Sequence, residues 1–194
     1  PENPFAMIGS QFWAQKGPAT MANDIVALNP EAVVQINHPR DDSSAYFEWL
    51  KLDPITGKAT AEGRTLHEGF HAVEVNAQIP DMMLLTEEMD PIVQALPVDE
   101  VPTMKDWLTL VGKDYPLCAM GNSDSHNYGS GTGYPRSYLH LGDTEVSLLT
   151  DAMVANAIKS QKVTVSKGII AWFEVDGKVR MGAMDPVPAT AMVG

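Results

Sequence analysis

An Asp and a His stand two positions apart in segment 121–126, which follows a short apolar run at 117–120. The run has the length and composition of a fully buried strand. Because side chains alternate along an extended chain, Asp124 and His126 are expected to point to the same side. In barrel and doubly wound folds, the carboxyl edge of the sheet is where catalytic groups gather. A carboxylate and an imidazole at such an edge could both reach one metal ion.

Two other predicted strands also end in polar residues. Asn37 and His38 follow the first strand, and Glu74 and Asn76 belong to the second. If the three strands are parallel neighbours, these ends converge with Asp124 in one cleft. Oxygen and imidazole ligands without thiolate suit Zn, Mn or Fe(II). A metal held in this way lowers the pKa of bound water and delivers hydroxide at neutral pH.

Each of these residues also has a simpler interpretation. His38 could be a loop residue that bonds only to the backbone. Glu74 lies within an apolar strand, where an unpaired carboxylate is costly. A salt bridge to Arg40 or Arg136 would satisfy it without any metal. Asp124 could be a helix N-cap or an Asx-turn residue.

Helical and extended patterns alternate along the chain. Helices are predicted at 21–28, 46–50, about 82–95, 103–111 and 144–158. Strands are predicted at 33–36, 72–76, 117–120, 137–141, 163–165, 169–175 and 178–181. Asp176 and Gly177 between the last two strands are typical of a tight hairpin turn. Three buried strands separated by helical patterns predict a parallel α/β arrangement with a small β addition at the end.

The predicted helix starts rest on capping residues. Ser43 or Ser44 could cap the second helix, and Asp143 or Thr144 the last one. Thr103 opens a variant of the capping box, so it is expected to be the N-cap of its helix.

Composition bounds the class of protein. The chain has 194 residues, 44% hydrophobic and 20% charged, which is typical of about one globular domain. With 25 acidic against 13 basic residues, its formal net charge is −12. No cluster of Lys and Arg appears, so we expect no nucleic-acid partner. The acidity would also repel a polyphosphate unless metal ions intervene.

Cysteine usage and apolar runs add little about compartment. Cys118 is the only cysteine, so no intrachain disulfide can form, and its apolar neighbours predict a buried thiol. No run approaches the roughly 18 apolar residues of a membrane span, and no signal peptide is recognisable, so no membrane partner is expected. The chain begins at Pro1 without Met, which favours a piece of a longer protein or a processed form. A cytoplasmic and an exported location both stay open.

The order of the polar strand ends resembles a known family. Segment 37–39 (Asn-His-Pro), segment 73–76 (Val-Glu-Val-Asn) and segment 121–126 (Gly-Asn-Ser-Asp-Ser-His) occur in the order found in the polymerase-and-histidinol-phosphatase (PHP) superfamily. Segments 133–138 and 161–163 are similar to its carbaryl-hydrolase-like subfamily. The resemblance covers roughly residues 25–175, and its specificity comes from the order and spacing of short motifs.

The resemblance implies a distorted (β/α)₇ barrel with two or three divalent metal ions, and hydrolysis of phosphoesters, esters or carbamates. By position, His38 matches a ligand of the second metal, Asp124 a ligand of the first, and His126 the closing His that binds the third. Glu74 matches an acidic position of the pocket, and whether it touches metal is left open. Arg136 could bind a substrate anion through its forked donors.

The chain also departs from the family pattern. PHP domains begin with an H-x-H pair on the first strand, and this chain has none. His67 and His71 have helical spacing, but the strand that starts at 72 makes His71 a residue at the start of a strand. By the resemblance, residues 1–166 are the C-terminal half of the barrel, and 167–194 are a β extension or the start of another domain. The site would then need the missing N-terminal half or an oligomeric partner to complete it.

Three functions remain open on the sequence alone. The first is a metal-dependent hydrolase acting on a small molecule, with His38, Asp124 and His126 holding metal and Arg136 and Glu74 in the pocket. The second is a non-catalytic PHP-like module that binds a partner or a small anionic ligand. The third is a sugar- or anion-binding domain whose polar strand ends form hydrogen bonds only.

Overall fold

The structure is a computed structural model that describes residues 17–40, 45–75, 102–125, 133–142, 144–166, 174–175 and 178–179. The α-helices in these ranges are α1 (Pro18–Leu28), α2 (Tyr46–Leu50), α3 (Pro102–Val111) and α4 (Asp151–Lys159). A 3₁₀ helix covers Val146–Leu148. The strands are β1 (Gln35–Ile36), β2 (Ala72–Glu74), β3 (Cys118–Met120), β4 (Arg136–Leu139), β5 (Val163–Ser166), β6 (Glu174–Val175) and β7 (Lys178–Val179).

The first three strands form a parallel sheet in the order β1-β2-β3. Gln35 pairs with Ala72, and Val73 pairs with Ala119, so all three strands run in the same direction. The predicted parallel arrangement of these strands is confirmed, although each strand is shorter than its apolar run. Their carboxyl ends therefore meet at one edge of the sheet.

Both faces of this sheet are covered, which explains why successive residues of β2 and β3 are apolar up to Glu74. On one face, Val73 and Val75 pack with Phe47, Leu50 and other buried residues of α2 and α3. The opposite face carries a second buried cluster: Ala72, Cys118 and Met120, packed against Ile158 and Val163. The Cys118 thiol is free and buried, as predicted, and this burial raises its pKa to about 11.

Two capping predictions are wrong. The helix α3 begins at Pro102, so Thr103 lies in its first turn rather than at the N-cap, and its hydroxyl donates to the carbonyl oxygen of Val75. The N-cap of α2 is Ala45, which makes no side-chain capping bond; Ser43 and Ser44 lie outside the described residues.

The predicted helix at 144–158 is confirmed from Asp151 onward, but its first part is wrong. The chain forms the short 3₁₀ helix, becomes extended at Leu149, and restarts as α4. The Thr150 hydroxyl accepts a hydrogen bond from the N–H of Met153 at 3.3 Å. Because a Thr side chain that bonds the backbone in this way favours a helix start over a helix interior, the pattern divides at Thr150.

The remaining strands pair antiparallel. Strand β4 pairs with β5, and β6 pairs with β7 in the register expected for the predicted hairpin, Val175 with Lys178. The predicted helix at 82–95 lies outside the described ranges, and the half barrel and the division at residue 166 stay predictions. None of the described helices has the length and apolarity needed to cross a bilayer.

His71 is the residue at the start of β2, as the sequence predicts. Its backbone N–H donates to the carbonyl oxygen of Val34, and its ring Nδ1 accepts the N–H of Val34 at 3.1 Å. Burial and, secondarily, the charge of Lys159 lower the pKa of His71. The neutral ring is thus the form that supports the start of the sheet.

We expect the folded state to lose stability as the pH falls below about 6.5. The pKa of His71 is lower in the fold than in the unfolded chain, so its contribution is present above the unfolded value and is lost on acidification through the folded value. Urea midpoints measured between pH 8 and pH 5 check this. The His71→Gln variant should show a shallower decline, and equal slopes for the two proteins would contradict the assignment.

Candidate functional site

Glu74 holds His38 at the carboxyl edge of the parallel sheet. Glu74 is the last residue of β2, and His38 follows the neighbouring strand β1. The backbone N–H of His38 donates to Oε2 of Glu74 at 2.8 Å, and Nδ1 of the imidazole lies 3.1 Å from the same oxygen. The Glu74 side chain is fully buried. The Glu74 carboxylate therefore holds the backbone of His38 by a hydrogen bond and lies beside its ring.

Asp124, which follows β3, lies on the other side of the same ring. Nε2 of His38 is 3.8 Å from Oδ2 of Asp124. The two side chains are 38% and 48% exposed, so solvent reaches this side of the imidazole and not the Glu74 side. The structure thus brings together three of the predicted site residues, one from the end of each parallel strand.

The backbone is unusual at both solvent-facing residues. His38 and Asp124 each have φ of 45°, in the left-handed region that non-glycine residues rarely adopt. Strained backbone of this kind costs about 1–3 kcal/mol and clusters at functional sites. Lys51, Asp114 and Gln161 also have positive φ, but they lie apart from the strand ends that carry these two residues.

The charges around the ring favour one tautomer. A carboxylate beside Nδ1 stabilises a proton on that nitrogen and leaves the lone pair on Nε2. The lone pair of His38 then faces the carboxylate of Asp124, and two electron-rich groups at this distance repel each other. A cation between them relieves that repulsion.

The donor atoms fit part of a metal site. Zinc bonds of about 2.1 Å at the tetrahedral angle place two donor atoms about 3.4 Å apart, within a few tenths of an ångström of the distance between Nε2 of His38 and Oδ2 of Asp124. Oε1 of Glu74 is buried and accepts no hydrogen bond within the described part of the chain, so it too could face a cation or a water. Within that part, no three His, Cys, Asp or Glu side chains group closely enough to hold a metal ion. Two donors are thus in place, and a complete metal centre needs others.

The other predicted residues are placed less directly. Arg136 is the first residue of β4 and is exposed. Its neighbour Ser137 bonds to the backbone of Gly121 at both N and O, so β4 begins beside the segment that carries Asp124. His126 lies outside the described residues.

The prediction that Glu74 could form a salt bridge with Arg40 is wrong. Arg40 instead donates to Asp106 through Nε and Nη2, and to Oε1 of Glu48 through Nη1 at 2.7 Å. Its Nη2 also donates to the carbonyl oxygen of Leu52 at 2.8 Å. These carboxylates, Asp106 first, raise the pKa of Arg40, so the guanidinium is always charged.

Sequence reasoning placed Asp106 only in the capping-box variant at 103–106 and missed its buried ion pair with Arg40. The Asp106 side chain has no exposed surface. It lies on the buried face of α3 together with Thr103 and Leu110. The one signal in the sequence is an Asp spaced one turn from Thr103 and Leu110, on the face that α3 buries.

No family model, curated protein or solved structure that we compared with the chain matches it. The likeness to the PHP superfamily therefore stays a prediction from motif order. The geometry of the three strand ends is the basis for the functional argument.

Proposed function

We propose that the protein is a metal-dependent hydrolase, in which His38 and Asp124 bind a divalent ion of Zn, Mn or Fe. The observation that supports this most directly is the 3.8 Å approach of Nε2 of His38 to Oδ2 of Asp124. An imidazole and a carboxylate are donor types that divalent Zn, Mn and Fe accept, and their approach at a solvent-reached position supports the proposal.

Glu74 is assigned a supporting role in this proposal. Carboxylates that hold the second nitrogen of a metal-binding histidine fix its tautomer and raise its basicity. The distance of 3.1 Å between Oε2 of Glu74 and Nδ1 of His38 supports that role, because it brings the carboxylate charge beside this nitrogen. Glu74 then acts through His38 rather than on the substrate, which differs from the pocket role inferred from the sequence.

The proposed substrates are small phosphoesters, esters or carbamates. When bound, the metal supplies a water of lowered pKa as the nucleophile. A chain of net charge −12 attracts no anion by itself, so an anionic substrate needs a local positive group. Arg136, exposed at the start of β4, is the proposed anion-binding side chain.

Metal binding tests the proposal first. We expect calorimetric titration of the chelator-stripped chain with Zn²⁺ or Mn²⁺ to detect binding, and Asp124→Asn or His38→Gln to weaken it about 10- to 100-fold or more, because each removes one donor. Asp151→Asn is the matched control, since Asp151 is an exposed Asp in the first turn of α4. The proposal would be contradicted if the wild-type chain bound no metal, or if Asp151→Asn lowered the metal affinity as much as the site variants do.

Activity then separates the hydrolase from the alternative, a non-catalytic module that binds a partner or small anion. The observation that favours the alternative is the lack of a third donor in the described part of the chain. In that case His38 would simply lie between the Glu74 and Asp124 side chains as a structural contact. Metal-dependent turnover of an aryl phosphate or aryl ester, lost in Asp124→Asn, supports the hydrolase; metal binding without turnover supports the module.

A further inference from the structure

The helix α3 buries two polar side chains on the face that packs against the sheet. Thr103 and Asp106 are 1% and 0% exposed, and they stand one turn apart. The buried face of a helix is normally apolar. Buried polar side chains cost free energy unless they form hydrogen bonds. What these two residues bond to is therefore informative.

Both side chains form hydrogen bonds to residues that are close in the chain to the candidate site. The Thr103 hydroxyl donates to the carbonyl oxygen of Val75 at 3.0 Å, and Val75 directly follows Glu74. The Asp106 carboxylate accepts two hydrogen bonds from Arg40, which stands two residues after His38. The same helix face thus ties down the strand end that carries Glu74 and the loop that carries His38.

The contact between those two residues is sensitive to their relative position. It consists of the 2.8 Å hydrogen bond from the His38 N–H and the 3.1 Å approach of Nδ1, both to one oxygen of Glu74. A shift of either backbone segment by a fraction of an ångström weakens both. The hydrogen bond depends steeply on distance and angle, and the electrostatic contact of the ring nitrogen with the carboxylate depends on distance.

We propose that Thr103 and Asp106 are positioning residues that fix His38 against Glu74 and so set the tautomer and direction of the His38 ring. The two residues act on the site indirectly: Thr103 bonds to the backbone of Val75, and Asp106 bonds to Arg40. Neither is assigned a contact with a ligand. Their consequence for metal affinity rests on the proposed function; their effect on the ring does not.

The Thr103→Val variant tests this, because it removes the hydroxyl and keeps the shape. The control is Thr109→Val on the same helix, which loses a comparable hydrogen bond, 2.7 Å from the Thr109 hydroxyl to the carbonyl oxygen of Pro54. The readouts are the ¹⁵N shifts of the His38 ring, which report its tautomer, and the Kd for Zn²⁺. We expect Thr103→Val to give mixed-tautomer shifts and an affinity about 10-fold weaker, and Thr109→Val to leave both unchanged.

A second variant, Asp106→Asn, removes the charge from the other contact and should shift the same ring signals. If it fails to fold, Thr103→Val decides by itself. Wild-type ring shifts in Thr103→Val, or equal changes in Thr103→Val and Thr109→Val, would overturn the inference. A wild-type chain that binds no Zn²⁺ would overturn the proposed function instead, and the ring shifts would still decide this inference.

Discussion

Replacing Asp106 by Ala is expected to lower the free energy of unfolding by about 3 kcal/mol or more, because it leaves a charged guanidinium without its buried partner. Asp106 has no exposed side-chain surface, and the side chain of Arg40 is only 14% exposed. The carboxylate accepts from two nitrogens of Arg40, an arrangement stronger than a single hydrogen bond. Urea unfolding followed by tryptophan fluorescence measures the loss.

Arg40 provides its own control, since it also contacts Glu48, whose side chain is 41% exposed. Glu48→Ala should cost less than about 1 kcal/mol, as exposed ion pairs do. Replacing the buried pair together, as Arg40→Met with Asp106→Leu, should recover most of the stability lost in Asp106→Ala. If Asp106→Ala costs no more than Glu48→Ala, the buried pair does not stabilise the fold.

The sequence predicts the parallel sheet because burial on both faces leaves a clear local signal. Ala72 and Val73 face opposite clusters, and both are fully buried, so the strand is apolar at successive positions. A polar residue at the end of such a strand, as Glu74 is, stands out. This contrast is what makes the strand ends recognisable without a structure.

Long-range partners leave no such local signal. Arg40 is a plausible partner for any acidic residue in the chain, and only the packing of α3 brings it to Asp106, 66 positions away. Thr103 likewise has the sequence environment of a helix cap, but Pro102 extends the helix by one position and the hydroxyl instead bonds across to the sheet. Tertiary contacts overrode local preference in both cases.

The conformation of His38 contradicts a local rule. A residue before proline is normally extended, yet His38 precedes Pro39 and has φ of 45°. Sites where local rules fail are commonly functional, because the rest of the structure maintains the strain. Here the hydrogen bond from the His38 N–H to Glu74 holds the unfavourable conformation, and the sequence carries no trace of it.

The Gly121→Ala substitution is expected to cost about 2–3 kcal/mol, because the methyl group has no space. A Cβ on this residue would lie 2.6 Å from Cγ1 of Val165 and 3.2 Å from the carbonyl oxygen of Arg136. The Val side chain is stiff, so the backbone must move. That movement would break the two hydrogen bonds between Ser137 and Gly121 and displace the segment that carries Asp124. Thermal or urea unfolding measures the loss of stability.

A double-mutant cycle identifies the collision as the cause. Val165→Ala removes the nearest atom, so Gly121→Ala should cost about 1 kcal/mol less in that background than in the wild type. Gly17→Ala is the control, since a Cβ there meets no atom of the described residues within 4 Å, and it should cost less than about 1 kcal/mol. Additive costs for Gly121→Ala and Val165→Ala would contradict the steric explanation. A favourable coupling would mean that the close contact of β3 with β5 fixes where the Asp124 segment leaves the sheet.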